Sequence, residues 1–212
     1  MGQTAHHQIR DATPDQWREL SDALAVAFEH DPVFSWMLPN AATRPDALRR
    51  FFAIEARDVV LAHRLSTSVS VGASGVVGAA LVLPPGHWRT PMRIQARHAP
   101  SYLRVFGPRL PRAMGVQTVL ERRHPGQPHY YLPFIGVRPE ARGQGLGSAL
   151  LQPMLDRCDR EGLPAYLEAS SPDNARLYRR LGFTSLEVVR PLGAPPLELM
   201  IRTPGARYQS TS

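Results

Sequence analysis

The chain has 212 residues, 43% of them hydrophobic and 20% charged, an ordinary globular composition with length enough for one good-sized core. Its formal charge of +7 rests on 25 basic residues that are all arginine, which excludes chemistry needing a lysine of the chain's own, a Walker-type phosphate loop included. No apolar run approaches the roughly eighteen residues of a membrane span, and the single Cys158 has no internal disulfide partner.

The opening residues lack a basic region leading into an apolar segment, so the expectation is a cytoplasmic protein without membrane attachment. The arginines are dispersed, with only short pairs such as Arg49-Arg50, Arg122-Arg123 and Arg179-Arg180. That pattern reads as solvated faces and predicts no nucleic-acid partner.

Residues 7 to 12 read as a first strand, and Thr13-Pro14-Asp15-Gln16 supplies a cap, a proline and a capping-box glutamine for a helix carrying Leu20, Leu24, Ala27 and Phe28. Asp31-Pro32 ends it, and Pro32 to Asn40 reads as an aromatic-rich loop. Arg44 to His63 has Leu48, Phe51, Phe52, Val59 and Ala62 on one side, an amphipathic helix. Strands at 65–71 and 76–83 follow, joined by a hairpin turn at Gly72-Ala-Ser-Gly75. Residues 87 to 123 read as helices broken at Pro91, Pro100, Pro108 and Pro111. Beyond 128 the pattern is a strand, a helix from 146 to 161 kinked at Pro153 and capped by Gly162, a strand at 164–170, a helix at 173–181, and strands near 183–189 and 197–203. Residues 204 to 212 read as a flexible tail.

The most informative stretch is His129 to Gly147, where an apolar strand runs into a glycine-rich turn that opens a helix. Such a turn exposes several backbone N–H groups at the positive end of a helix dipole, a site suited to phosphate. A dinucleotide fingerprint would need glycine or alanine where Ser148 stands, at the first strand of the chain. Arg142-Gly143-Gln144-Gly145-Leu146-Gly147 instead fits Q/R-x-x-G-x-G/A, and Asn174 to Phe183 fits N-x-x-x-Y-x-x-x-G-F after the strand Ala165 to Ser170. In both motifs the chain resembles the GCN5-related N-acetyltransferase (GNAT) family.

The resemblance implies an α/β fold, a mixed, mostly antiparallel sheet of about seven strands flanked by helices and splayed between its two central strands. It implies one domain over 1–212, with acceptor-site elements in 7–123 and acetyl-CoA bound by 128–203. Acetyl-CoA would be the co-substrate, with no metal, and the protein a monomer or homodimer. The pyrophosphate would lie on Arg142, Gly143, Gln144, Gly145, Leu146, Gly147 and Ser148. The thioester would run along Ile135, Gly136 and Val137, where the Ile135 N–H meets a developing oxyanion. Asn174 would bond the pantetheine arm, and Tyr178 would protonate the departing thiolate. Phe34, Trp36, Tyr130 and Tyr131 would line the acceptor pocket.

Histone-type relatives carry a glutamate base six residues before the strand valine, where this chain has Tyr131. Glu168 on the neighbouring strand is the nearest acidic candidate for a catalytic base. Deprotonating a lysine-type amine, pKa about 10.4, costs roughly 4.6 kcal/mol at pH 7, against about 1.1 for an α-amine near 7.8, so a site short of a strong base favours low-pKa amines. The segments 129–137, 143–153 and 163–174 also resemble the puromycin N-acetyltransferase branch, which acetylates an aminoacyl α-amine. The expected acceptor is therefore the primary amine of a small molecule. A protein or peptide amine, and a non-catalytic acyl-CoA-binding module, remain open alternatives.

Overall fold

The computed structural model describes residues 7–71 and 75–206. Seven strands, β1 (His7–Asp11), β2 (Thr67–Val71), β3 (Val76–Leu83), β4 (Tyr130–Val137), β5 (Ala165–Ala169), β6 (Thr184–Val189) and β7 (Leu197–Arg202), form one sheet in the order β1-β2-β3-β4-β5-β7-β6. Every neighbouring pair is antiparallel except β4 with β5, which is parallel. The open, mixed sheet flanked by helices is the fold expected from the sequence.

Seven helices cover the sheet: α1 (Trp17–Ala27), α2 (Pro32–Met37), α3 (Arg44–Ile54), α4 (Met92–Phe106), α5 (Leu110–Arg123), α6 (Leu146–Glu161) and α7 (Pro172–Arg180). Period-two alternation in the strands builds two apolar layers. On one face Phe28, Phe34, Phe51, Phe52 and Phe134 interlock edge to face beneath α1 to α5. On the other, α6 and α7 bury Leu150, Leu151, Met154 and Tyr178 against Leu132, Leu167 and Met200. Gly136 lets α1 lie close on β4, since a Cβ there would stand 2.7 Å from the Ala27 Cβ.

Four local expectations are corrected. Pro32–Met37 is a short helix: Asp31 Oδ1 accepts from the backbone N–H groups of Val33 and Phe34, both at 3.0 Å, and Pro32 needs no N–H at the first helical position. The helix from Arg44 stays α-helical only to Ile54. A wider i→i+5 turn over Glu55–Val60 then adds a residue and rotates the apolar face, so Leu61 is buried and Ala62 exposed. Pro100 lies inside α4 without breaking it, whereas Pro91 precedes that helix and Pro108 and Pro111 mark the junction to α5. The second strand begins at Thr67 rather than 65. Residues 72–74 of the expected hairpin turn and 207–212 of the tail lie outside the described residues.

Candidate functional site

The parallel β4–β5 ladder lasts only three residues, Tyr130–Leu132 against Ala165–Leu167, and beyond it the strands part. Two features of β4 open this gap. Pro133 has no N–H for a ladder, and the β3–β4 register slips where Leu81 faces Phe134 but Leu83 faces Tyr131, one extra residue on β4. Past the slip, the Arg138 N–H bonds Val77 O at 2.8 Å. Antiparallel pairs alternate, so Phe134, Gly136 and Arg138 direct their backbone groups to β3 while Ile135 and Val137 direct theirs into the gap.

The turn after β4 reaches α6 through Gly143 and Gly145, at φ +77° and +73°, conformations that side chains resist. Nothing lies within 4 Å of a Cβ built on either glycine, so backbone conformation, not protein packing, selects glycine there. Gly147 differs: it is within α6, where a Cβ would press Leu177 at 3.2 Å. Arg142 anchors the turn, donating from Nε to Val137 O at 3.1 Å and from Nη2 to Ala27 O at 2.9 Å. The first α6 bond runs from the Ala149 N–H to Gly145 O, leaving the Leu146, Gly147 and Ser148 N–H groups without intrahelical acceptors.

On the far side of the gap, Ser171 caps α7 by accepting from the Asn174 N–H at 3.2 Å. Ser170 Oγ and Asp31 Oδ2 are 2.5 Å apart, joining the end of β5 to the α1–α2 turn. Asn174 Nδ2 reaches Ser170 Oγ at 3.5 Å. Burial raises the Asp31 carboxyl above its ordinary range, against the pull of its bonds from Ser170, Phe34 and Val33. Tyr178 packs on Phe183 with its ring buried, and burial followed by the Asp31 charge pushes its phenol well above the ordinary value. It is therefore protonated throughout the neutral range.

Where β4 and β5 diverge, the α1-side face carries a polar cluster. Tyr131 Oη donates to Glu168 Oε2 at 2.9 Å, while Glu168 Oε1 is buried without a hydrogen bond. Burial raises Glu168 to about 7, opposed by the Tyr131 and Tyr166 hydroxyls. His124 Nδ1 stands 3.9 Å from Glu168 Oε1, and His124 Nε2 is 2.8 Å from His129 Nε2. Trp88 stacks on His124 with ring centroids 3.8 Å apart. A second carboxylate, Glu55, accepts from Tyr102 Oη at 2.8 Å, is raised by burial to about 7, and acts electrostatically on Tyr131. Among the described residues no group of three or more His, Cys, Asp or Glu is arranged to hold a metal ion, and no helix is long and apolar enough to cross a membrane.

A sequence model of the acetyltransferase (GNAT) family matches residues 76–183, from β3 through the turn, the gap and α7. The chain belongs to this family. An uncharacterized N-acetyltransferase of Schizosaccharomyces pombe is 32% identical over 126 residues, 58% of this chain and 49% of that protein. A mycothiol acetyltransferase of an Arthrobacter species is 42% identical over 64 residues, 29% of this chain and 19% of that protein. The chain thus matches half or less of the length of these curated relatives. The solved structure described as histone acetyltransferase HPA2 and related acetyltransferase, from Corynebacterium glutamicum, superposes with a TM-score of 0.71 at 27% identity, covering 97% of this chain and 99% of that one. Arylalkylamine N-acetyltransferase 2 of Aedes aegypti shares the fold, with a TM-score of 0.57 at 13% identity over 93% and 99%.

Within this GNAT frame the structure brings together Ile135, Gly136, Val137 and the Arg142–Ser148 turn on one side of the gap and Asn174 and Tyr178 on the other. Tyr131 and Glu168 meet at its vertex. Tyr130 does not join them: it points to the opposite face, where its hydroxyl bonds Glu161 Oε2 at 2.5 Å and burial pushes it up to about 12. Phe34 is embedded in the aromatic layer. Trp36 is half-buried, with Arg112 over its ring at 4.9 Å.

His124, His129, Tyr166, Trp88, Glu55, Asp31 and Ser170 were not among the sequence candidates. Glu55 carried a signal, since it continues the apolar stripe of Leu48, Phe51 and Phe52 as its lone carboxylate. The pair His124 and His129, flanking Pro125-Gly126 just before β4, carried a weaker one.

Proposed function

We propose that this GNAT protein transfers the acetyl group of acetyl-CoA to the primary amine of a small molecule by direct attack. The observation that carries the reading is Glu168: a carboxylate raised to about 7, with one free oxygen, at the vertex of a strand gap that Ile135 lines with an N–H. A carboxylate so placed is matched to accepting a proton near neutral pH, where one at its ordinary value would be a poor base. It would answer the missing base at Tyr131 from the neighbouring strand.

The chain's groups divide the work. Gly143 to Ser148 present free N–H groups at the end of a 16-residue helix, which suits the coenzyme's pyrophosphate. The Ile135 N–H bonds the thioester carbonyl and holds it more strongly as its oxygen gains charge. Glu168 takes a proton from the acceptor's ammonium, freeing the nitrogen pair for the carbonyl carbon, and the attacked nitrogen sheds its second proton to solvent as the intermediate collapses to the amide. As the C–S bond breaks, Tyr178 gives its proton to the sulfur and regains one from solvent. Asn174, tied to Ser170, steadies the pantetheine side.

Resemblance to the puromycin N-acetyltransferase branch supports an aminoacyl or antibiotic-like amine. The two buried carboxylates on the acceptor face, Glu55 and Glu168, favour a cationic acceptor over an anionic one. The test is CoA release from acetyl-CoA across a panel of aminoacyl, aryl and aliphatic primary amines and peptides. Turnover highest on a small-molecule amine supports the reading; turnover confined to peptides, or to none, sinks it.

A further inference from the structure

The hydrogen bonds around His124 fix which of its nitrogens carries a proton. His129 Nδ1 is 2.6 Å from Gln127 O, and a carbonyl can only accept, so His129 bears its hydrogen on Nδ1. Burial lowers both imidazoles, His124 to about 3 with help from His129 and Arg89, so both rings are neutral near pH 7. His129 Nε2 is then a bare acceptor, and His124 Nε2, 2.8 Å away, must donate to it. His124 Nδ1 is left with a lone pair.

That lone pair faces Glu168 Oε1 at 3.9 Å. The two side chains are only 3% and 7% exposed, and the oxygen makes no hydrogen bond among the described residues, although the equally unpartnered Tyr166 hydroxyl lies close enough to lower the Glu168 carboxyl. When Glu168 is ionised, two buried acceptors turned toward one point are unfavourable unless a donor with two hydrogens lies between them. A nitrogen about 2.8 Å from each, the ordinary length of a charge-assisted bond, spans a 3.9 Å separation with two of its own N–H bonds. Aromatic rings frame His124: Tyr131 and Tyr166 stand against it at 4.8 and 4.6 Å and Trp88 stacks on it at 3.8 Å, while the Arg89 charge acts on it from nearby.

We propose that Glu168 Oε1 and His124 Nδ1 together seat the acceptor's primary ammonium, and that His124 is the positioning residue for its nitrogen. This rests on the amine-acetylation reading and adds the second half of the amine site. One N–H bond breaks as its proton passes to Glu168, leaving the electron pair on nitrogen. A second N–H stays on His124 Nδ1 through the attack, which fixes that pair at the vertex of the gap, and one of the two remaining N–H protons leaves to solvent as the amide forms. His124, kept neutral, holds a hydrogen here and takes none.

The test is nitrogen-15 NMR of histidine-labelled full-length protein, with methylammonium as the probe and tetramethylammonium as its N–H-free control. His124 should show an unprotonated Nδ1 and His129 a protonated one. Methylammonium should move the His124 Nδ1 signal saturably, and tetramethylammonium should leave it in place. His124→Phe keeps a ring against Trp88 but removes the acceptor, and should weaken methylammonium binding, read by saturation transfer to its methyl protons, about tenfold to a hundredfold. His124→Asn places an oxygen where Nδ1 stood and should restore most of it. A proton on His124 Nδ1, no response to methylammonium, as a bridging water alone would give, or equal binding by His124→Phe overturns the proposal. Failure of acetylation itself would appear in the amine panel and leave these signals unchanged.

Discussion

The Tyr131 hydroxyl on β4 donates to Glu168 Oε2 on β5 at 2.9 Å, across the last rungs before the two strands part. A tyrosine thus stands where histone-type relatives carry a glutamate, and it orients a carboxylate one strand over. The exchange leaves a carboxylate near the vertex in a different environment, since it is buried among aromatic rings.

Tyr131→Phe removes a bond that holds Glu168 below the value burial alone would give it. The groups facing Glu168 are then Tyr166 and the neutral His124, with Glu55 beyond the Tyr131 ring. If deprotonated Glu168 is the base, kcat/KM for the amine rises with pH through about 7 in the native protein. In the variant that limb should move to higher pH. A limb that stays in place, or moves to lower pH, would show that another group titrates.

Replacement of the proposed base itself should be more severe. Glu168→Gln keeps the volume and the bond from Tyr131 but cannot accept a proton, so turnover should fall about 10² to 10⁴ fold, the range for one general base. CoA affinity should hold. A loss under about threefold, with chemistry shown to be rate-limiting, would remove Glu168 from the catalytic role.

Glu55 separates stability from catalysis. Its folded value, raised to about 7 from 4.5, means that the folded state binds the proton more tightly than the unfolded one. The relative stability from that tighter binding is fully present below 4.5 and is lost as pH rises through 7. Glu55→Gln can still accept from Tyr102 but carries no charge to bury. It should therefore stabilise the protein at pH 8 by up to about 3 kcal/mol and do little at pH 4, as read by urea melts at both values. Equal effects at the two pH values would refute the assignment.

At Gly145 the surrounding space is open, so a side chain meets no protein atom and only the backbone and a bound ligand can object. Gly145→Val forces a branched residue to φ +73° and should cost about 1 to 2 kcal/mol of stability. Calorimetric affinity for CoA should fall at least about tenfold, because the branched side chain projects from the turn whose N–H groups are offered to phosphate. Unchanged affinity in a folded variant would take the pyrophosphate off this turn.

The fold of residues 128–203 was legible because backbone chemistry leaves marks in sequence. Glycines at fixed spacing after an apolar strand record positive φ at Gly143 and Gly145, and Pro133 inside β4 marks a strand that cannot pair along its whole length. Residues 7–123 left fewer marks. Whether Phe34 and Trp36 face a ligand or the core depends on tertiary packing, and here Phe34 went to the core. Tyr130 and Tyr131 are adjacent and so point to opposite faces; which one met Glu168 depended on the sheet register. The His124–Glu168 approach is made across all of β4 and α6, and no local period announces it.

Tyr178 offers the sharpest test of the coenzyme side. Among the described residues its hydroxyl makes no hydrogen bond, although the ring is buried against Phe183. Burial and then the nearby Asp31 charge raise the phenol, so it holds its proton across the working range, as the proposed donor role requires. A phenol of ordinary pKa about 10 gives its proton to a thiolate of about 8.5 only as the intermediate collapses, and a raised phenol depends on that coupling still more. Tyr178→Phe preserves the packing and deletes the donor. Turnover should drop about 10² to 10⁴ fold with CoA affinity and melting temperature nearly unchanged, and the acid limb set by Glu168 should stay in place. Turnover within about threefold of native, in a variant whose chemistry limits the rate, would make Tyr178 a packing residue and hand the thiolate's proton to water.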